Sequence, residues 1–406
     1  MKTRTKILLL AGAGILLLGI GIFAGWHLSR QQNSGEWKEE AKKQVKEETD
    51  MTEKQKVRVE EIGFSRISGQ EIQIQWPDRW ESYVEEYQIQ RRKSGEDTWQ
   101  QVGTLASDQR VEDTALAWVD TLEESAVQQY EYRVDVKVTD PEKYQAEEGK
   151  TVMASNLLVC IDPGHYSGKN TVESGTAYAE GDFTLQLAKE LSGVLKEDYG
   201  VTSILTRDSG SISIDGYTDN ALDSGHISLR GEYAEGTDLF LSIHTNANLE
   251  GANGCETEEQ PISINKPILI LNEIACEQEQ AVKVANGIGS HLAETSYQLG
   301  IAAVGTFCAV EESGQIREWT DAYNDQTDVE GTVCRRSGEH GDYYGVLRGA
   351  ANVGVPGMII EHGFHTVPEM RQMAAAGELA GAWARADAEG IAEGFGFEKY
   401  LETKQE

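Results

Sequence analysis

The sequence predicts a multi-domain chain: an N-terminal transmembrane helix, a β-sandwich, then an α/β domain on a mainly parallel sheet flanked by helices. Three observations lead there. Residues 7–26 form a run of twenty without a charge. Residues 57–155 hold short segments in which apolar and polar residues alternate, the period of half-buried strands. From 156 to 400, short apolar runs alternate with helical spacing, as strands and helices do when wound in turn.

The uncharged run has the length of a helix crossing ~30 Å of hydrocarbon. Lys2, Arg4 and Lys6 precede it, and only Arg30 follows closely. An excess of positive charge on one side places residues 1–6 in the cytoplasm and the rest outside. The rival reading is a cleaved signal peptide, which would secrete the chain. The run is long for that role, and Ile22-Phe23-Ala24 is a poor cleavage site. Both readings export everything after residue 26. Residues 27–56 are charged, poor in apolar residues and without a sustained heptad, so they read as a solvated stalk.

Within 57–155, Ile72, Ile74 and Trp76 alternate with polar residues. So do Tyr87, Ile89 and Arg91, and Tyr130, Tyr132, Val134, Val136 and Val138. Two packed sheets would bury the alternate faces. The segment resembles a fibronectin type III module. Trp76 matches its second strand, Tyr87 to Arg91 the third, and Trp99 with Val102 the next. Tyr130-Glu131-Tyr132-Arg133-Val134 matches a later strand, with Tyr130 at the tyrosine-corner position. The resemblance implies a spacer.

Charge narrows function. The chain carries 68 acidic and 36 basic residues, net −32, and residues 151–406 alone carry 40 against 15, net −25. Nucleic-acid binding, which needs clustered Lys and Arg, is excluded, and so is docking on anionic lipid through a basic face. The five cysteines are odd in number and show no metal-finger spacing. Cys160, in an apolar run, reads as a buried thiol. A bridge among Cys255, Cys276, Cys308 and Cys334 stays open.

In the α/β part, strands are expected at Leu157–Ile161, Val201–Leu205, Leu239–Ile243 and Met358–Ile360. Helices are expected around Phe183–Leu195, Val282–Leu292 and Leu379–Phe395. Three strands run into polar residues: Asp162-Pro163-Gly164-His165, His244-Thr245-Asn246 and Glu361-His362-Gly363. Ligands of open α/β sheets bind beyond the carboxyl ends of the strands. Two histidines and a carboxylate there suit a catalytic zinc, which takes three protein ligands and leaves one position for water. Glu180, ahead of the first helix, is a further acid within reach of His165. Taken singly, each residue has an ordinary structural reading; position and type agree at four places.

These motifs, over residues 156–370, resemble the zinc-dependent N-acetylmuramoyl-L-alanine amidases of the amidase_3 type. The D-P-G-H element is Asp162 to His165, and the helix-head glutamate is Glu180. A T-R pair follows at Thr206-Arg207, then Ile227-Ser228-Leu229-Arg230 with Ala234 and Asp238. The S-I-H-x-N-A element is Ser242 to Ala247, and E-x-G-F is Glu361 to Phe364. The resemblance implies that His165, Glu180 and His244 bind Zn2+ and that Glu361 is the catalytic acid/base. It implies hydrolysis, by zinc-activated water, of the amide joining N-acetylmuramic acid to the L-alanine of the peptidoglycan stem. Asp162 and Asn246 are then expected to orient ligand imidazoles or line the cleft.

The chain departs from the family after Phe364, where His365-Thr366-Val367 stand in place of a small residue and Asn. His365 becomes a candidate cleft residue. The stretch 295–343 is long and holds Trp319, Tyr323, Arg335 and Arg336. Either it forms a cleft wall whose arginines meet peptide carboxylates, or it is a surface insertion. His27, His226, His291 and His340 read as surface groups. The competing function is a non-catalytic, membrane-tethered wall-binding scaffold; another zinc hydrolase is a third.

Overall fold

The computed structural model describes residues 54–77, 82–106, 115–173, 175–247, 265–308, 316–319 and 330–400. The expected tail, anchor and almost all of the stalk lie outside the described residues, as do Cys255 and Tyr323. No helix among the described residues is long and apolar enough to cross a membrane.

Strict alternation of side chains builds the first layer. β1 (Gly63–Ser68), β2 (Glu71–Trp76) and β5 (Leu116–Thr121) pair antiparallel in the order β1-β2-β5. β3 (Val84–Lys93), β4 (Gln100–Ala106), β6 (Gln129–Val138) and β7 (Thr151–Ser155) form a second sheet, β4-β3-β6-β7. Ile72, Ile74 and Trp76 from the first sheet share one buried cluster with Tyr87, Ile89, Tyr132 and Val134 from the second. The rings of Trp76 and Tyr87 meet across it at 5.5 Å. Gln55–Val57 pairs parallel with Tyr144–Ala146, so this layer begins two residues inside the expected stalk. At the expected corner, Tyr130 lies under the Arg91 guanidinium at 5.2 Å. The neighbouring Tyr132 hydroxyl donates to Asp120 at 2.7 Å.

Only Asn156 and Leu157 separate β7 from β8 (Leu158–Pro163). Asn156 is buried and fully used. Its amide donates to the carbonyls of Gly69 and Ala126, and its oxygen accepts from the Gln128 amide. Arg66 reaches from the sandwich to Asp238 at 3.3 Å, and Gln129 donates to the carbonyls of Tyr199 and Glu398. The two layers are therefore joined by buried polar contacts and not by a flexible link.

The second layer is a sheet of mostly apolar strands. β9 (Thr202–Leu205), β10 (Leu239–Asn246), β11 (Ile268–Leu271), β12 (Phe307–Cys308), β13 (Gly331–Arg335) and β14 (Gly357–Phe364) join β8 in the order β9-β8-β10-β14-β11-β13-β12. Arg317–Glu318 adds a short strand beside β13. Neighbours run parallel except β11 with β14, which makes the sheet mixed. Its helices include α1 (Glu180–Tyr199), α2 (Ser228–Glu232), α3 (Glu279–Gln298), α4 (Gly345–Asn352) and α5 (Leu379–Phe395). Phe183, Leu187, Leu191 and Leu195 form the buried stripe of α1, at the four-residue spacing of one helix face. The helix stops at Gly200, whose φ of 66° is left-handed. A Cβ there would stand 2.4 Å from the Met153 carbonyl oxygen. Trp383 of α5 is fully buried, its ring edge-on to Phe183 and its indole N–H donating to Ser296 on α3. The four described cysteines are free thiols.

One buried ion pair ties the strand ends together. Asp162 closes β8 and accepts from Thr206 beyond β9, from Ser242 on β10 and from Arg230 on α2. Burial alone would raise its pKa. The Arg230 charge and the three donors outweigh that and hold the carboxyl below its ordinary value. Asp162→Ala is expected to cost about 3–5 kcal/mol, the size of breaking a buried pair from one side, measured by urea unfolding at pH 7. A depressed carboxyl stabilises above its unfolded pKa of ~3.9 and loses that contribution as pH falls through the folded value. Wild-type stability is therefore expected to fall more steeply below about pH 4 than that of Asp162→Asn, which carries no titrating group.

Candidate metal centre

One loop, a helix head and a strand bring the site together. After β8 the chain turns through Gly164, whose amide is held by the Ile243 carbonyl at 2.9 Å. His165 then takes a left-handed φ of 59°. Arg207 donates to the carbonyls of Pro163, Gly164 and Gly181, and Arg230 to those of Pro163 and His165. These two arginines clamp the loop that carries His165. Gly164 matters for space as well: a Cβ there would sit 2.4 Å from the His244 ring.

Glu180 opens α1 and is almost fully buried. Its Oε1 lies 3.0 Å from His244 Nδ1 and accepts the Thr245 amide at 2.9 Å. Its Oε2 lies 3.4 Å from His165 Nε2 and takes a short contact from the Asn170 amide. One nitrogen or oxygen from each of His165, Glu180 and His244 lies within 4.8 Å of the others. Burial would raise the Glu180 pKa, but the two histidines outweigh it and hold the carboxyl well below the usual range. Burial would likewise lower His165. Its hydrogen bonds to Asp223 and Glu180 prevail and push it up to about 10. Two nitrogens and one carboxylate oxygen are a donor set that fits zinc.

Glu361 sits on β14 directly opposite His244 on β10, and paired residues of neighbouring strands send side chains to the same face. It is partly buried, and its Oε2 meets no hydrogen-bond partner among the described residues. Burial and the Glu180 charge push its pKa up to about 8, against the opposing pull of His165. A dication among the ligands would offset that negative charge and draw the value back down.

The remaining expected residues are placed differently. Asp162 touches neither ligand imidazole; it is buried beneath the strand ends, because Arg230, Thr206 and Ser242 satisfy it there. Besides Glu180, the acid that meets one of these two imidazoles is Asp223, at 2.9 Å from His165 Nδ1. It lies in a stretch without a motif, so spacing offered no signal for it. Asn246 accepts the Ala247 amide through its side chain and the His365 amide through its carbonyl. His365 is buried and stacked on Tyr178, with Nδ1 3.0 Å from Thr245 Oγ1. Arg335 pairs with Glu318 at 3.1 Å on the exposed surface. Arg336 packs over the rings of Tyr343, at 3.7 Å, and Trp319, at 4.6 Å. His226 stacks on Tyr217 at 3.8 Å. His362 is fully buried, with Nδ1 3.1 Å from the His244 carbonyl and Nε2 2.8 Å from Asp387. It braces the strands that carry His244 and Glu361.

A family model described as N-acetylmuramoyl-L-alanine amidase matches residues 159–393. Among solved structures, the chain is similar to an N-acetylmuramoyl-L-alanine amidase from Clostridium difficile 630, at 17% identity and a TM-score of 0.37, covering 58% of this chain and 94% of that one. It is also similar to the amidase AmiC2 of Nostoc punctiforme, at 22% identity and a TM-score of 0.35, again covering 58% and 94%. No curated protein matches the chain. Gly164→Ala is expected to displace the His244 ring and weaken binding of a divalent cation by about tenfold or more, the scale of misoriented ligands, measured by equilibrium dialysis.

Proposed function

Because this chain belongs to the N-acetylmuramoyl-L-alanine amidase family and is an enzyme of that class, we propose that it cleaves the bond between N-acetylmuramic acid and the stem-peptide L-alanine, with zinc on His165, Glu180 and His244 and Glu361 as acid/base. The observation that carries this reading is the convergence of the three donor atoms, on the sheet face to which Glu361 is also directed. Zinc held there would supply Lewis acidity toward water and the scissile carbonyl.

The protein's own groups divide the remaining work. Glu361 takes the proton of the attacking water and returns it to the leaving nitrogen. Its Oε2 suits that exchange, since among the described residues no fixed donor competes for the lone pairs. Glu180 is held by the Thr245 amide and the Asn170 side chain, so its carboxylate keeps its direction when a cation binds. The three-plus-four strand pairing supports the fibronectin type III-like reading, and its direct union with the catalytic layer supports a stiff spacer. The uncharged run at 7–26 supports a single-pass anchor with the catalytic layer on the outer side, acting in cell-wall remodelling.

Digestion of defined muropeptides tests the reading. The zinc-loaded chain is expected to release intact peptides beginning with L-Ala, detected by mass spectrometry. Glu361→Gln is expected to lower kcat by about 10²–10⁴ with its zinc content unchanged. His165→Ala and His244→Ala are expected to lose both zinc and activity, with metal measured by elemental analysis. A zinc-loaded wild type that binds muropeptides and frees no peptide would sink the enzymatic reading in favour of a scaffold.

A further inference from the structure

We propose that Asp223 is a positioning residue for the metal: its carboxylate sets the His165 ring so that Nδ1 carries the proton and Nε2 turns toward Glu180. The proposal rests on the reading of His165 as a ligand. The geometry uses both sides of one ring. Asp223 Oδ1 lies 2.9 Å from Nδ1, and Glu180 Oε2 lies 3.4 Å from Nε2. An ionised carboxylate only accepts, so the nitrogen facing Asp223 holds the hydrogen and the other keeps its lone pair for a metal.

Asp223 is itself held. Its side chain is nearly buried, with Lys169 Nζ 3.8 Å from one oxygen and Arg230 Nη1 3.8 Å from the other. The chain between Arg207 and Ile227 makes an excursion that delivers it. Ser213–Ile214 pairs with Tyr217–Thr218 in a small hairpin, and one 3-10 turn spans Asp219–Ala221. Asp219 accepts the Ile212 amide at 3.0 Å and donates its own amide to the Ile212 carbonyl at 3.1 Å. Ile212, Ile214 and Leu222 form a separate small core, packed on Leu229 and on Tyr166, the neighbour of His165. The excursion is thus anchored to the ligand loop at one point and presents its carboxylate to the ligand at another. A carboxylate on the far nitrogen of a metal-bound histidine raises the ligand's basicity and fixes its ring, and its loss weakens metal affinity about 10–100-fold.

The test measures the zinc dissociation constant of the full chain by competition with a chromophoric chelator, together with the melting temperature of the metal-free protein. Asp223→Ala is expected to bind zinc about 10–100-fold more weakly than the wild type. Asp223→Asn, with the same shape and a weaker acceptor, is expected to fall between the two. A folded variant of either kind that binds zinc as tightly as the wild type overturns the proposal. So does a lowered melting temperature with unchanged zinc affinity, which marks a role in loop stability alone. A wild type that binds no zinc overturns the reading of the ligand set instead, which separates the two failures.

Discussion

Asp162, fully buried, accepts hydrogen bonds from Thr206 beyond β9, from Ser242 on β10 and from Arg230 on α2. A carboxylate so placed must be satisfied or it costs several kcal/mol. Satisfying it brings β8, β9 and β10 to a common level at their carboxyl ends. The same Arg230 that neutralises it also holds the carbonyls of Pro163 and His165. The loop that carries His165 is therefore an outgrowth of the ion pair beneath it. The motif residues Thr206, Arg207 and Arg230 make sense in these terms: they are the donors that a buried acid and a tight loop require.

Above that base, two glutamates of the same chemistry are driven in opposite directions. Glu180 lies between two imidazoles and is held ionised. Glu361 lies in a partly buried place beside Glu180, with one oxygen unpartnered, and resists ionisation. A cation is the natural complement to this arrangement, since it would stabilise the charge on both. Among the described residues, the excess of acid in residues 151–406 has local roles at these positions, at Asp223, at Asp162 beneath the site and at Asp387 beside His362.

Much of this was legible because period and motif act locally. Alternation at Ile72–Trp76 and Tyr130–Val138 marks strands, since one face of each is buried whatever its partner. The stripe of α1 and the span Leu379–Phe395 were readable for the same reason. His165, Glu180, His244 and Glu361 stand out because each follows a strand or heads a helix. Residues whose role comes from contact across the fold were not readable. Asp223 sits 58 positions from His165 and His362 sits 25 from Asp387, with no spacing rule to link them. His365, singled out by its departure from the family pattern, is buried against Tyr178 and Thr245.

The amino-acid sequence alone determined the order of layers, the positions of the main strands and helices, and which four side chains to watch. These depend on hydrophobic period and on residues a few places apart, which any chain displays in one dimension. Tertiary structure decided the antiparallel pairing of β11 with β14, the burial of Asp162 away from the imidazoles, and the choice of Asp223 as the partner of His165. These depend on which distant segments share a volume. Buried polar groups must find partners among whatever packing brings near, and packing is a property of the whole fold.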